Sequence, residues 1–378
     1  MKQRLFIFFV LAVTILTGCV KDKPSTMDEG KHPILFSAAS GVTTKTYDPY
    51  DKMRPNDPST LIKVGNEISV FGVWLPDKDE DADYETVFYN RRLRCDHVYL
   101  SDPLDPTSFD PEDQNSSTWN YDPLEYWKNT GAYKFTAVSP YTASDATINS
   151  TYDLKISYRV GSNQDLMVAR SFRVEPDNGK DRVELDFKHV TSAVRFLFGT
   201  ASDEGDKFKL TAFHLENLSP RGTLTIDSRL TSPINFDPSD GVNPAGPDYP
   251  LNWTAGAIGV LGSLFSWSAD TSDPEKTITY PTDPDDPDGY AQMGWYYMVP
   301  HTLNSGAAVV FSVSYDGQPA VETTINISDC ELPAGADVWS PNHVYNYFVT
   351  VEQSGADIHV VATEWEEVSI TTDPFLFE

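Results

Sequence analysis

Alternation of apolar and polar residues with a period of two is the feature that most restricts how this chain can fold. In the segment 307–315, Val309, Phe311, Val313 and Tyr315 fall on one face, with polar serines among the residues between them. The same alternation recurs at Tyr133, Phe135 and Ala137, at Val194, Phe196 and Phe198, and at Tyr345, Tyr347, Val349 and Val351. This period predicts half-buried β-strands.

Turn residues separate these predicted strands. Asp316 and Gly317 stand between the strand ending at Tyr315 and a second apolar run at Val321–Ile327, which predicts a β-hairpin. The 27 prolines and 22 glycines, with 12% aromatic residues, punctuate short β-prone runs, and no long amphipathic helical pattern is visible. The pattern therefore predicts an all-β fold of antiparallel β-sandwiches.

A chain of 378 residues is long enough for two such domains. The best boundary lies near Glu175–Asp181, where a Pro-Asp-Asn-Gly run interrupts two strand-rich halves. We therefore predict one sandwich at residues 32–178 and another at residues 179–378. Long loops rich in Asp, Pro, Ser and Asn decorate both, at residues 77–84, 101–117, 231–250 and 268–289.

The N-terminus has the pattern of an export signal. Lys2 and Arg4 precede an apolar run from Leu5 to Leu16, which is too short to span a bilayer as a permanent helix. Cys19 follows the small Gly18, as in a bacterial lipobox. We predict a signal peptide at residues 1–18, a lipid on Cys19 and a tether at residues 19–31, so that the mature chain faces outward from a membrane. A transmembrane anchor, or an ordinary signal with an accidental cysteine, is the alternative.

The charge of the chain excludes several kinds of partner. The net charge is -28, and removal of Lys2 and Arg4 with the signal changes it to -30. Such an acidic protein is a poor partner for nucleic acid and for anionic membrane surfaces. Only Cys95 and Cys330 remain in the mature chain besides Cys19, and the sequence leaves open whether they form a disulfide.

Catalytic motifs are missing from the sequence. It contains no G-x-S-x-G, no H-E-x-x-H and no glycine-rich phosphate loop. Glu366 and Glu367 are neighbours on a predicted strand, so their side chains point to opposite faces. We therefore expect no enzyme and no cofactor; a glycosidase with two acids far apart in sequence is the alternative.

Metal sites are also poorly supported. His189 lacks a neighbouring Cys, His or carboxylate pair at metal-ligand spacing, which favours a structural, hydrogen-bonded histidine. The acidic run before Gly289 fails as an EF-hand, since Pro284 and Trp295 take its first and twelfth positions. A looser calcium site at Asp77–Asp83 or Asp283–Asp288 stays open beside the default of a solvated charge run. No metal is assigned.

Several stretches in a fixed order resemble one known family. They are Tyr126–Pro140 (YWKNTGAYKFTAVSP), Asp165–Ala169 (DLMVA), Leu185–Phe196 (LDFKHVTSAVRF) and Trp339–Tyr347 (WSPNHVYNY), the last followed by Ile358 and Trp365. With the lipobox in front, this succession resembles that of the fimbrillin-like lipoproteins of Bacteroidetes. One departure is Asn342, where the family often has a glycine; Asn also tolerates a left-handed turn.

The resemblance implies a subunit of type V pili, exported to the outer membrane as a lipoprotein, with two β-sandwich domains of transthyretin-like topology. Its partners would be other pilus subunits and a host or bacterial surface ligand. In that family a protease removes the first strand of the N-terminal domain, and a neighbouring subunit inserts a strand. Here the first strand would be Ile34–Ala38, and the candidate cleavage residues are Lys45, Lys52 and Arg54, although Pro55 disfavours cleavage at Arg54. The alternative is a loop that is never cut, as in an anchor or accessory subunit.

The C-terminal tail is the predicted donor strand. Val368 and Ile370 share one face, and Phe375 and Phe377 share one beyond Pro374. Such spaced apolar side chains could fill the pockets that a removed strand vacates. The alternative is an edge strand that completes its own sandwich, which a proline near the strand end permits.

A glycan-binding outer-membrane lipoprotein of β-sandwich type is the competing function. Tryptophans exposed on a sandwich could stack on sugar rings, and the candidates are Trp119, Trp127, Trp253, Trp267 and Trp295. Packing in the core or between domains is the more common role of a sandwich tryptophan. Polymerisation after proteolysis would distinguish a pilus subunit from a monomeric glycan binder.

Overall fold

The computed structural model describes residues 32–40, 65–76, 84–98, 117–141, 146–148, 153–162, 164–174, 182–201, 205–226, 251–258, 265–270, 274–281, 289–327, 338–353 and 355–364. The regular structure in these residues is almost entirely β-strand, with short 3-10 turns at Val160–Ser162 and Gly205–Lys207. The predicted all-β fold is therefore confirmed. Within these ranges no helix is long and apolar enough to cross a membrane.

Twenty-two strands follow one another along the described residues. The first nine are β1 (Phe36–Ser40), β2 (Glu67–Leu75), β3 (Glu85–Val98), β4 (Ser117–Asn120), β5 (Ala132–Ser139), β6 (Ala146–Ile148), β7 (Leu154–Arg159), β8 (Met167–Val174) and β9 (Val183–His189). The next seven are β10 (Ser192–Gly199), β11 (Phe208–Glu216), β12 (Arg221–Ile226), β13 (Leu251–Ala255), β14 (Trp267–Ser268), β15 (Lys276–Thr277) and β16 (Ala291–Met298). The last six are β17 (His301–Thr302), β18 (Ala308–Tyr315), β19 (Val321–Asn326), β20 (Val338–Trp339), β21 (His343–Glu352) and β22 (Gly355–Glu364).

Seven strands close into a barrel in the order β1-β4-β3-β2-β5-β8-β9. All neighbours are antiparallel except β1 and β9, which run parallel and close the ring. Tyr133, Phe135 and Ala137 all lie in the barrel core, as their alternation predicts. Closure leaves every barrel strand with two partners, which removes exposed edges from this part of the molecule.

A second unit consists of two facing sheets. One has the order β16-β10-β21-β22, with β10 and β21 parallel, and the other has the order β14-β11-β18-β19, with β15 also paired to β11. Side chains predicted on apolar faces fill the core between the two sheets, including Val194, Phe196, Phe198, Tyr347 and Phe311.

A third sheet joins segments from both halves of the chain. Its order is β13-β12-β7-β6, and β7 pairs with β12 along six residues, from Arg159 opposite Arg221 to Leu154 opposite Ile226. Strand β9, beyond the predicted boundary at residues 178 and 179, pairs with β8 and β1 in the barrel. Strand pairing therefore crosses the sequence-based boundary in both directions, because apolar strands join whichever sheet buries them.

The predicted turn at Asp316 and Gly317 is present in the structure, and Asn342 also has a positive φ. Asp316 and Gly317 have φ angles of 49° and 73° and join β18 to β19 as a hairpin. Two consecutive positive φ angles are what a tight two-residue turn of this hand requires. Asn342, directly before β21, has a φ of 58°, so the asparagine adopts the left-handed conformation there.

Candidate functional site

Strand β1 lies in the barrel wall between β4 and β9. Its five residues pair in parallel with Val183–Phe187, and Phe36 also pairs with Trp119 of β4. The predicted first strand, Ile34–Ala38, overlaps β1 with an offset of two residues. Ile34 and Phe36 are both 0% exposed, since the period of two directs both side chains into the barrel.

Backbone hydrogen bonds extend this contact before the strand begins. The Ile34 amide donates to the Glu125 carbonyl at 2.9 Å, and the Val183 amide donates to the Leu35 carbonyl at 2.7 Å. The Trp127 amide donates to the His32 carbonyl at 3.0 Å. Residues 32–36 thus have main-chain partners on both sides, and residues 37–40 pair with β9. Another strand with suitable side chains could make the same main-chain bonds.

Aromatic rings surround Phe36 in the barrel. Its ring centroid lies 5.5 Å from that of Phe88 and 5.3 Å from that of Phe135, both in edge-to-face geometry. Across the core, a Cβ at Gly72 would come within 2.9 Å of the same two rings. Glycine at position 72 therefore lets β2 approach this ring cluster closely.

Tyr121 fixes the entry of β1. Its hydroxyl donates to the Ile34 carbonyl at 2.7 Å, and its ring lies 6.0 Å from that of Phe36. Burial raises the pKa of Tyr121 well above its ordinary value near 10, so the hydroxyl keeps its proton and remains a donor.

Removal of β1 would open a defined groove. Across the strands, Val183, Phe36, Trp119 and Cys95 stand in one row of paired residues, and all four are buried in the same core. Without β1, backbone groups of β4 and β9 would lose their partners and Trp119 would border the gap. Such a gap between two strands is an acceptor for β-strand addition.

Most residues that the sequence assigns to this exchange lie outside the described part of the chain. They are the lipidation residue Cys19, the cleavage candidates Lys45, Lys52 and Arg54, and the donor candidates Val368, Ile370, Phe375 and Phe377. Their roles stay predictions. The described chain reaches Ser40 on one side of the cleavage segment and Gly65 on the other.

His189 is a structural histidine, as the sequence favours. Its Nδ1 lies 2.7 Å from Asp165 Oδ2, and the Thr191 hydroxyl donates to Asp165 Oδ1 at 3.1 Å. Asp165 thus binds both sides of the short connection between β9 and β10. The neighbouring Val190 amide donates to Leu166 O at 2.9 Å, while Trp253 Nε1 donates to Val190 O at 2.8 Å. These bonds fix the junction between barrel and sandwich.

Several of the tryptophans considered for sugar stacking pack against other side chains of the protein. Trp119 is 2% exposed in the barrel core. Trp253 is half-buried and packs edge-on against Tyr158, and the Arg195 guanidinium lies 4.2 Å from the Trp295 ring centroid. Trp127 packs edge-on against Tyr133, with centroids 4.7 Å apart. Trp267 is half-buried beside the Lys276 ammonium, 5.5 Å from the ring centroid.

Most residues considered for a disulfide or for calcium lie outside the described ranges. Cys95 is fully buried in the barrel, whereas Cys330 lies outside the described residues. Both acidic loops considered for calcium, 77–83 and 283–288, also lie outside them. In the described ranges, no group of three or more His, Cys, Asp or Glu side chains is placed to hold a metal ion.

Sequence reasoning missed several residues of this site. Phe88 and Tyr121 were not identified, although they line the place of β1, and Asp165 was not identified as the partner of His189. Phe88 and Tyr121 come from a strand and a loop far from β1 in sequence, so no local period signals their contact. Asp165 stands in the DLMVA stretch, which is the signal that could have directed attention to it.

Known families and structures resemble this chain over most of its length. A family model described as fimbrillin-like matches residues 54–370. Among curated proteins, none matches the chain.

Three solved structures are similar to this chain over most of their length. A proposed cell adhesion protein from Bacteroides uniformis is 14% identical, covers 89% of this chain and 100% of its own, and has a TM-score of 0.50. One from Bacteroides ovatus is 12% identical, covers 89% and 98%, and has a TM-score of 0.48. A fimbrial protein from Bacteroides vulgatus is 12% identical, covers 88% and 99%, and has a TM-score of 0.44. At 14% identity, the similarity to the Bacteroides uniformis protein is a similarity of fold alone.

Proposed function

Because the chain belongs to the fimbrillin-like family, we propose that it is a subunit of a cell-surface pilus that supports adhesion and is assembled by strand exchange. The observation that supports strand exchange is that residues 34–40 fill a gap between β4 and β9, with the side chains of Ile34 and Phe36 fully buried. The role of the whole protein in this proposal is structural rather than catalytic.

Cleavage is the first step of the proposed assembly. A cut after Lys45, Lys52 or Arg54 separates β1 from β2 in the chain, but leaves β1 bound by its main-chain bonds and by Ile34 and Phe36. Burial of one such aromatic side chain is worth about 3 kcal/mol. An incoming strand therefore has to offer comparable apolar side chains, in addition to backbone bonds, to displace β1.

The tail after Trp365 fits that requirement in composition. Val368, Ile370, Phe375 and Phe377 provide apolar side chains at alternate positions in two short runs. The tail of one subunit would pair with β4 and β9 of the next, and its aromatic side chains would take the place of Phe36 beside Phe88 and Phe135. Partners are then other subunits of the same or related kind.

Export as a lipoprotein belongs to the same proposal. Cys19 would carry the lipid, residues 19–31 would tether the barrel, and the mature subunit would stand on the outer membrane until it joins a fimbria. The surface ligand of such a fimbria would be a host or bacterial molecule. The acidic mature chain supports a partner other than nucleic acid.

Cys95 offers a direct test of strand exchange. Because Cys95 lies two strands from β1 in the same paired row, loss of β1 should increase the reaction of its thiol with a maleimide. The protein would be the mature chain with Cys19→Ser and Cys330→Ser, cut under native conditions with a Lys- and Arg-specific protease. A peptide of residues 365–378 should then displace the β1 fragment, measured by mass spectrometry of the complex, and protect Cys95 again.

A matched control keeps the cleavage segment intact. The variant Lys45→Gln, Lys52→Gln, Arg54→Gln should show neither peptide uptake nor a change in Cys95 labelling under the same protease. Cut protein that retains β1 and ignores the peptide at high excess would reject strand exchange. A monomer that instead binds polysaccharide would support the glycan-binding alternative.

A further inference from the structure

One face of the β16-β10-β21-β22 sheet points away from the sandwich core. On β10 this face carries Arg195 and Leu197, which alternate with the core residues Phe196 and Phe198. Arg195 pairs with Asn346 on β21, and Leu197 pairs with Phe348. We call these four residues, with Gln292 and Trp295 of β16, the outer face.

The four outer-face residues on β10 and β21 are buried, whereas Gln292 and Trp295 are half-buried. Leu197 and Asn346 are 0% exposed, Phe348 is 2% exposed and Arg195 is 3% exposed. On β7, by contrast, the alternate side chains Lys155, Ser157 and Arg159 are exposed, as expected when nothing lies over a sheet. Side chains that stand in one layer on a sheet cannot bury one another's ends, so a second layer covers the outer face.

The apolar part of the outer face forms a cluster of its own. Leu197 and Phe348 are separate from both large cores, and Tyr290 is the partly buried hydrophobic residue that packs on them among the described residues. Its ring centroid lies 5.1 Å from that of Phe348. Tyr290 is at one end of the cluster and is too small to cover a face that extends to Arg195.

Polar groups on the outer face also point to a covering segment. Arg195 Nε donates to Asn346 Oδ1 at 3.1 Å, and its guanidinium stacks on Trp295. The buried Asn346 Nδ2 has no acceptor among the described residues. A buried amide favours an acceptor, and a backbone carbonyl of a segment crossing the face would supply one.

We propose that the outer face is the docking site of the chain's own C-terminal segment, residues 366–378. Strand β22 ends at Glu364, which pairs with His343 at the start of β21. Asn346 is three residues further along β21, about 10 Å away at the rise of a strand. Thirteen residues span about 43 Å when extended, which is enough to turn and cross the face.

The composition of the segment suits this face. Phe375, Leu376 and Phe377 supply apolar side chains for Leu197 and Phe348. Glu366, Glu367, Asp373 and Glu378 supply carboxylates that the buried guanidinium of Arg195 attracts. The next residues of β21 on the same side, Thr350 and Glu352, are half-buried and exposed, so the covered region ends where the apolar residues end.

This docking gives the segment two places to bind. The first is the outer face of the same chain, where the segment shields Leu197 and Phe348 in the monomer. The second is the gap left by β1 of a neighbouring subunit, and this second site rests on the proposed function. Donation would then require the segment to leave the outer face, so its affinity there limits premature assembly.

The test compares the uncut, mature chain with the same chain truncated after Trp365. We expect the truncated monomer to keep its circular dichroism spectrum and to bind more of a hydrophobic dye, because Leu197 and Phe348 become accessible. A peptide of residues 366–378 should bind to it and reverse the increase. A control peptide with Phe375→Ser and Phe377→Ser should bind to the truncated protein at least about tenfold more weakly. The natural peptide should be weakened by the same factor when the truncated protein carries Arg195→Gln.

Several results would overturn the docking. Truncated protein that binds no more dye than the full chain, and no peptide, would show that another segment covers the face. If truncation prevents folding, the full-length Phe375→Ser, Phe377→Ser variant takes its place, and unchanged dye binding by that variant would refute the proposal. The measurements use uncut monomer, so a chain that docks its tail but never polymerises would leave this inference standing and reject strand exchange.

Discussion

Alternation along a strand determines which residues fill the sandwich core. Phe196 is 0% exposed, and its ring stacks on Tyr347 with centroids 5.0 Å apart and packs against Phe213 at 5.3 Å. Ser314 alternates with Val313 and Tyr315 on β18 and is 9% exposed, so it is buried too, but its side chain is small and polar. The faces that the period of two predicts for Phe196 and for Val309, Phe311 and Val313 are the faces in the structure.

Phe196→Ala should therefore destabilise the protein strongly. Loss of a buried aromatic ring and the cavity left behind should lower the free energy of unfolding by about 3–5 kcal/mol. Ser314→Ala should lower it by less than about 1 kcal/mol. Urea unfolding followed by tryptophan fluorescence measures both, and equal midpoints for the two variants would contradict the assigned faces.

Single elements differ in how well local sequence predicts them. The β18–β19 hairpin is encoded in two neighbouring strands and a turn whose residues accept positive φ angles. The β6–β7 pair is different, because β7 pairs with β12, more than 60 residues later in the chain. No local period determines that choice, because the two strands are brought together only by the tertiary fold.

The C-terminal element should be dispensable for folding and necessary for assembly. A chain truncated after Trp365 retains all described strands, so we expect it to fold as a monomer. After cleavage between Lys45 and Arg54 it should form no oligomers, because the donor strand is missing. Size-exclusion chromatography of cut, truncated protein beside cut, full-length protein checks this; truncated protein that polymerises or fails to fold would reject the donor role.

At the scale of the whole molecule, a closed barrel and a sandwich are joined by a short connection that is held by hydrogen bonds. Only Val190 and Thr191 separate β9 from β10, and Asp165 binds the residues on either side of Val190. Tyr158 adds a bond from β7 to β16, with its hydroxyl donating to the Tyr297 carbonyl at 2.9 Å.

Attachment of the whole molecule to a membrane should depend on one residue. Cys19→Ser should abolish incorporation of a labelled fatty-acid analogue and leave the precursor uncut by the lipoprotein peptidase, because the thiol is the site of lipid attachment. Cys330→Ser is the matched control and should be labelled normally. Wild-type protein that takes up no label would contradict the lipobox interpretation.

Alkaline pH should weaken the whole fold through buried tyrosines. Desolvation raises the pKa of Tyr296 to about 12 and raises those of Tyr121 and Tyr158 further. The folded chain therefore keeps these protons above about pH 10, where the unfolded chain loses them. The contribution of these tyrosines to the free energy of unfolding is thus constant below about pH 10 and is lost as pH rises through their folded pKa values.

Urea midpoints at about pH 8 and about pH 11 measure that loss. The variant Tyr296→Phe removes one of the titrating groups and should lose less stability between the two pH values than the natural chain. Identical pH profiles for the two proteins would assign the alkaline loss to other groups.

The sequence alone determined the strand class, the inward faces and the β18–β19 hairpin, because each depends on neighbours within a few residues. It also indicated the family, through stretches whose order is preserved along the chain. Only the tertiary structure decided that β1 closes a barrel beside β9, that β7 joins β12, and that Asp165 binds His189. These contacts link residues distant in the chain, and their partners are selected by burial and by vacant sheet edges, which appear only when the whole chain has folded.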